Sequence, residues 1–172
     1  MENLKIRKAV KTDAENLRNL EAETFYKKWR PTNTEADMQS YMRDNFSIEK
    51  INSDLSDNGI IHFLAETETN LIAYVQLKHN SSEGDLGGKK AIEIQRMYVM
   101  EEYFRRGIGR KLMNTAIDFA IVENYEVIWL GVWEQNFQAI EFYKSFGYEI
   151  YGSHLFVLGE DVTTDLLMKK IL

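Results

Sequence analysis

The run Arg105-Arg-Gly-Ile-Gly-Arg110 joins a strand-like segment to a helical one, and its residue types suit an anion. Gly107 and Gly109 let the backbone turn tightly and approach a ligand without interference from a Cβ. A glycine turn that opens a helix points several free N–H groups outward, at the positive end of the helix dipole. Arg105, Arg106 and Arg110 add charge beside it, and a guanidinium matches phosphate oxygens. The loop therefore reads as a phosphate cradle, for a pyrophosphate in particular. It is not a Walker loop, because the Lys and hydroxyl of Gly-x4-Gly-Lys-Ser/Thr are absent. Nor does it have the Rossmann spacing, because Leu112 stands where the third glycine would be. A lone Gly-x-Gly also fits a plain strand–helix turn with solvated arginines, so other residues must decide.

A second constellation follows. Val127-Ile-Trp-Leu-Gly-Val132 is a nearly continuous apolar run, as expected of a buried strand. After Trp133-Glu-Gln comes Asn136, a good helix N-cap. Ala139, Ile140, Tyr143 and Phe146 then form a helical face, and Gly147 is a stop.

Together these motifs resemble the GNAT N-acetyltransferase superfamily. Asn136-x-x-Ala139-Ile140-x-Phe142-Tyr143-x-x-x-Gly147-Tyr148 is similar to its second acetyl-CoA motif, and Arg106-Gly107-x-Gly109 to its pyrophosphate loop. The likeness extends over nearly the whole chain to the PaiA-type spermidine/spermine N-acetyltransferases. It includes Glu23-Thr-Phe25, Glu93-Ile-x-Arg96-x-Tyr98, Ile128-Trp-Leu-Gly-Val-Trp-Glu134 and Thr164-Asp-Leu166. One position departs from the pattern. Phe104 stands where the family usually has Gln or Arg, which removes one side-chain contact to the pyrophosphate.

The resemblance implies acetyl-CoA as co-substrate and direct transfer of acetyl to an amine. That chemistry needs a neutral amine, a polarised carbonyl oxygen and a proton for the departing sulfur. It needs no covalent intermediate, which suits a chain without cysteine. Tyr143 is the candidate acid, since a phenol with a pKa of about 10 is protonated at neutral pH; the other reading is a buried helix aromatic. Glu93 is the candidate base, acting through water, or else a strand carboxylate paired with Arg96 or a lysine. The cofactor-binding set is Met97, Tyr98, Val99, Arg105, Arg106, Gly107, Ile108, Gly109, Arg110, Asn136, Phe142, Tyr143 and Lys144. Met97 and Val99 would pair through their backbones with the pantetheine arm, where the resemblance implies that the strand splays. Asn136 caps its helix, and the resemblance implies that its side chain also touches that arm. Lys144 is either a phosphate contact or a solvated helix lysine. Glu23, Trp29 and Glu134 are candidate acceptor contacts, with Phe25, Tyr26 and Trp133 supplying further aromatic wall. His62, His79 and His154 are scattered without ligand spacing, so no metal is expected.

Elements must position these groups. Ala91–Val99 reads as a strand, and Leu112, Met113, Ala116, Ile117, Ala120 and Ile121 as one helical face. Earlier, Leu4–Ala9 is an edge strand, and Thr12-x-x-Glu15 a capping box for a helix facing inward with Leu17, Leu20, Thr24 and Phe25. Pro31, the sole proline, ends that helix. Thr34 and Ser47 start two short helices, one with Met38, Tyr41 and Met42, the other with Ile48, Ile51 and Leu55. Residues 60–66 and 71–78 form a hairpin, residues 79–90 a mobile loop, and the chain closes on strands near 148–157 and 164–171.

The expected fold is α/β (α+β): the GNAT arrangement of a mixed, mostly antiparallel sheet flanked by helices, with splayed central strands. At 172 residues the chain reads as one domain, 1–172, able to bury a core without staples. A net charge of −6 argues against broad nucleic-acid binding and fits a cationic substrate. No apolar run approaches a membrane span, and Met1-Glu-Asn-Leu-Lys lacks a signal-peptide core, so a cytoplasmic monomer or homodimer is expected. The expected partner is a small-molecule amine, best a polyamine such as spermidine. The alternatives are a protein N-terminal or lysine acetyltransferase and a non-catalytic acyl-CoA-binding regulator.

Overall fold

A computed structural model describes residues 3–172. Among them runs one seven-stranded sheet in the order β1-β2-β3-β4-β5-β7-β6. Its strands are β1 (Lys5–Lys8), β2 (Ile60–Glu66), β3 (Leu71–His79), β4 (Ala91–Val99), β5 (Val127–Trp133), β6 (Glu149–Leu158) and β7 (Asp161–Ile171). The ladder β4–β5 is parallel and the others are antiparallel. The helices are α1 (Ala14–Trp29), α2 (Glu35–Asn45), α3 (Ile48–Ser56), α4 (Ile108–Val122) and α5 (Phe137–Lys144).

The amphipathic helices cover opposite faces of the sheet, because successive strand residues alternate sides. Ile108, Leu112, Met113, Ala116 and Ala120 of α4 pack with Ala73, Val75, Ile92 and Ile128, joined by Ile140 of α5. Leu17 and Leu20 of α1, with Ile51 of α3, pack on Leu64 and Tyr74 from the other face. Phe25, Met38, Phe46 and Leu158 form a further cluster that ties α1 and α2 to β6. The helix starts at Thr34, Ser47 and Asn136 are as expected: each side chain accepts an amide three residues on, from Asp37, Lys50 and Ala139. Pro31 also acts as expected, with α1 ending at Trp29.

The start of α1 differs. Thr12 does not cap it; Lys11–Asp13 form a 3-10 turn, and Asp13 takes over as the local acceptor. Its carboxylate receives Arg7 at 2.7 and 2.8 Å and the Val10 amide at 2.8 Å. A charge-assisted pair outcompetes a neutral hydroxyl for the same turn. The Arg7 guanidinium holds the Asp13 carboxyl below the usual carboxylate value. A depressed pKa contributes stability that is complete above the unfolded value, about 3.9, and is lost as pH falls through the folded one. Asp13→Asn is therefore expected to lower Tm at pH 7, and the gap to the parent should close as melts are taken below pH 4. A gap independent of pH would show that the ionised pair is not what stabilises this corner.

Candidate active site

The sheet opens at its centre. β4 and β5 pair only at Ala91↔Val127, Ile92↔Ile128 and Glu93↔Trp129, then part. The cause is local. Against β3, Leu77 faces Ile94 and Gln76 faces Arg96, so Gln95 is an extra residue that bulges β4. A bulge bends its strand and strengthens the twist. Beyond it, β4 keeps its β3 partner through Val99 but has none in β5. The gap becomes a cleft of about 680 Å³ that both strands line, from Ile94 to Val99 and from Leu130 to Trp133. Backbone groups along a parted edge are free to receive an extended ligand as an added strand.

One end of the cleft is the glycine loop. After β4 a 3-10 turn over Glu101–Tyr103 leads to Arg105 and Gly107, both in the left-handed region at φ 60 and 77°. These turn the chain into α4 at Ile108. The Lys111 amide is the one that bonds back to Gly107, so the amides of Ile108, Gly109 and Arg110 have no partner within the helix. Gly107 caps without a side chain, and a Cβ there would meet nothing within 4 Å. Arg105, Gly107, Ile108, Gly109 and Arg110 all line the cleft. The guanidinium of Arg110 lies 4.9 Å from the Phe146 ring centroid, and that of Arg106 5.1 Å from that of Tyr103. The loop therefore offers a nest of amides flanked by fixed positive charge, which fits a pyrophosphate.

α5 closes the second side. Asn136 caps it and lines the cleft together with Ala139, Phe142 and Tyr143. Phe142 packs on the loop, its ring within 3.8 Å of where a Gly109 Cβ would stand. The Tyr143 hydroxyl makes no hydrogen bond among the described residues. Burial raises its pKa, and Tyr98 adds to the shift. Tyr143 is thus a protonated phenol at neutral pH.

The far end is aromatic. Trp29 lies 5.6 Å from Trp133 and 6.4 Å from Phe156 between ring centroids, and Phe25 stacks on Tyr41 at 4.7 Å. The Trp29 indole donates to the Tyr98 hydroxyl at 3.1 Å. Tyr98 points to the α1 side, stacked on Tyr74, and burial pushes its pKa to about 12. Glu23 also lines the cleft, paired with Lys27 at 2.8 Å, and Lys27 reaches Glu102 at 3.3 Å.

Most of the expected residues meet here; five do not line the cleft, among them Tyr26, whose hydroxyl donates to Glu35 at 2.8 Å. Glu93 stands at the last paired position, before the strands part, and accepts Ser81 at 2.6 Å rather than Arg96 or a lysine. The segment that read as a mobile loop thus covers it, with Trp129 donating to the Ser81 carbonyl. Glu134 is exposed just past β5. Lys144 is exposed and paired with Glu141 at 2.8 Å. Arg106 turns onto Tyr103.

Asp165 of β7 lines the cleft and was given no role from sequence. Its register partners are Trp133 on β5 and His154 on β6. The only sequence signal was Thr164-Asp-Leu166, whose position beside the cleft depends on strand pairing distant in sequence. No cluster of three or more His, Cys, Asp or Glu able to hold a metal occurs among the described residues. No helix there is long and apolar enough to cross a membrane.

Comparison with known proteins agrees with this geometry. The chain is 28% identical over its whole length to an uncharacterized N-acetyltransferase encoded in the pepI 3' region of Lactobacillus delbrueckii subsp. lactis, of which it covers 99%. In fold it is similar to the PaiA N-acetyltransferase of Thermoplasma acidophilum solved with coenzyme A, at a TM-score of 0.80, 23% identity and 99% coverage of both chains. It is also similar to a ribosomal-protein-alanine N-acetyltransferase of Escherichia coli, at a TM-score of 0.72 and 16% identity, covering 98% of this chain and 93% of that one. Residues 14–148 match the Acetyltransferase (GNAT) family, to which this chain therefore belongs, as an acetyl-CoA-dependent N-acetyltransferase.

Proposed function

We propose that the acceptor is a primary amine carrying further positive charge, a polyamine such as spermidine, acetylated by direct attack on the thioester. The observation that carries this reading is one cleft with two chemically distinct ends. An amide nest suits pyrophosphate, and an aromatic box with the carboxylates Glu23 and Asp165 suits a cation. Net charge of −6 supports the same choice, as does the resemblance to PaiA-type enzymes. Between the two ends, the parted edges of β4 and β5 align the pantetheine arm, with Met97 and Val99 offering backbone groups. Tyr143 gives its proton to the departing sulfur, and the phenol is restored from the second proton of the attacking nitrogen. A cytoplasmic location fits a metabolite acceptor.

A screen of amines and peptides for release of free CoA tests the reading. Spermidine is expected to turn over with a higher kcat/KM than a monoamine of equal length, because only the polyamine carries a further charge for a second acidic group. Glu23→Gln should raise the spermidine KM by roughly threefold to tenfold, the size expected for one partly screened charge. Glu134→Gln and Glu93→Gln should leave it unchanged, since neither carboxylate lines the cleft. Peptides acetylated far faster than any polyamine would make this a protein acetyltransferase instead. Acetyl-CoA binding without turnover of any acceptor would make it an acyl-CoA-binding regulator.

A further inference from the structure

Direct attack leaves a proton to be removed, and Glu93 is not in the cleft to take it. The protons balance as follows. The acceptor enters as an ammonium, the nitrogen–acetyl carbon bond forms, and the carbon–sulfur bond breaks with its electron pair on sulfur. Two protons leave the nitrogen in all. One ends on sulfur by way of Tyr143, and one must reach solvent before attack, because only the neutral amine has a lone pair.

Asp165 heads a chain of groups that leads outward. Its Oδ1 is buried and has no hydrogen-bond partner among the described residues. Its Oδ2 lies 3.8 Å from Nε2 of His154, its cross-strand neighbour on β6. The other ring nitrogen of His154, Nδ1, is 2.6 Å from Oε1 of Glu83, in the β3–β4 loop. A carboxylate only accepts, so Nδ1 carries the proton toward Glu83, and a neutral His154 leaves Nε2 able to take one from a protonated Asp165. Side-chain exposure rises along the series, from 17% at Asp165 to 30% at His154 and 42% at Glu83, so the chain runs from cleft to solvent. Gly131 of β5 matters to this. A Cβ there would stand 3.4 Å from His154 Nε2 and 3.5 Å from Asp165 Oδ2, so the strand wall is bare just where the pair meets it.

We propose that Asp165 is the base that deprotonates the acceptor ammonium, and that His154 and Glu83 pass its proton to solvent. This rests on the amine reading above. Asp165 takes the proton as a carboxylic acid, His154 receives it at Nε2 and releases the one at Nδ1 toward Glu83, and Glu83 gives it to water. The 3.8 Å step tightens with substrate bound, as contacts of this kind do. Burial lifts the Asp165 carboxyl above its ordinary value, which moves it toward the range a base needs. Titratable groups around the pair include Tyr98, from β4, whose hydroxyl feels the Asp165 charge, and Tyr151, on β6, which donates to the Glu83 carbonyl at 2.9 Å and has Glu93 and Lys169 beside it.

The test is spermidine kcat/KM against pH for the parent, Asp165→Asn and His154→Gln. Both substitutions keep the shape and remove the titration. At pH 7 we expect losses of roughly a hundredfold for D165N and tenfold for H154Q, with acetyl-CoA affinity by calorimetry unchanged. Near pH 9.5 a good share of an ammonium of pKa about 10 is already neutral, so both gaps should narrow to about threefold. A purely structural cross-strand pair would give a loss that does not depend on pH, and that result overturns the relay. So does parent-like activity in both variants at pH 7. In either case the parent still acetylates spermidine and the amine reading stands. A parent that acetylates no alkylamine overturns that reading, and the relay with it.

Discussion

Replacing Tyr143 by Phe should lower kcat roughly tenfold to a thousandfold, the range for loss of a positioned general acid. The expected change in acetyl-CoA affinity is small. The ring keeps its contacts with Phe142 and Tyr148, at 5.5 and 5.9 Å between centroids. Because the hydroxyl has no hydrogen-bond partner among the described residues, no such bond is lost and Tm should hold. A stopped assay of CoA release, with calorimetric binding as control, separates the two effects. If only Tm fell and kcat did not, Tyr143 would be a packing residue. The pH profile carries a further sign. The hydroxyl's pKa is raised, so it stays protonated across the neutral range, and the parent should show no loss of the acid limb up to pH 9.

Gly107→Asp should weaken acetyl-CoA binding by roughly a hundredfold or more. A like charge at about 4 Å near a protein surface costs about 4 kcal/mol at most, and each 1.4 kcal/mol is tenfold. The backbone term is separable from the charge. Gly107 has φ 77°, which side chains adopt at a cost, but a Cβ there would touch nothing within 4 Å. Gly107→Ala thus carries the conformational strain alone and should lose much less. Calorimetry on both variants, with circular dichroism to verify folding, makes the comparison. Equal losses would mean that the loop acts through its shape; no loss in either would remove the pyrophosphate assignment.

Strands, helices and their caps were legible because they are short-range. Asn136 binds an amide three residues on, Pro31 acts on its neighbours, and the α4 stripe repeats every turn. The loop from Arg105 to Arg110 was legible for the same reason: its chemistry is that of its own backbone. Bounds shifted by a residue or a few at β1, β3, β5, β6 and β7, where pairing across the sheet rather than composition sets where a strand ends. The cap of α1 was misread because Arg7, a neighbour only through β1, claims Asp13.

The acidic groups divide along the same line. Glu93, Glu134 and Glu23 look alike in sequence, each a carboxylate beside a conspicuous motif. The bulge at Gln95 leaves Glu93 on the paired side of the fork, under Ser81, and the end of β5 leaves Glu134 in solvent. Asp165 enters the cleft only because β7 inserts between β5 and β6 in the sheet, out of chain order. By itself, then, the sequence determined what local geometry can hold: the helix faces, the anion loop, the phenol of Tyr143 and the resemblance they carry. Which carboxylates line the cleft was decided by the tertiary structure, because strand order and register join residues far apart in the chain, and no local spacing encodes them.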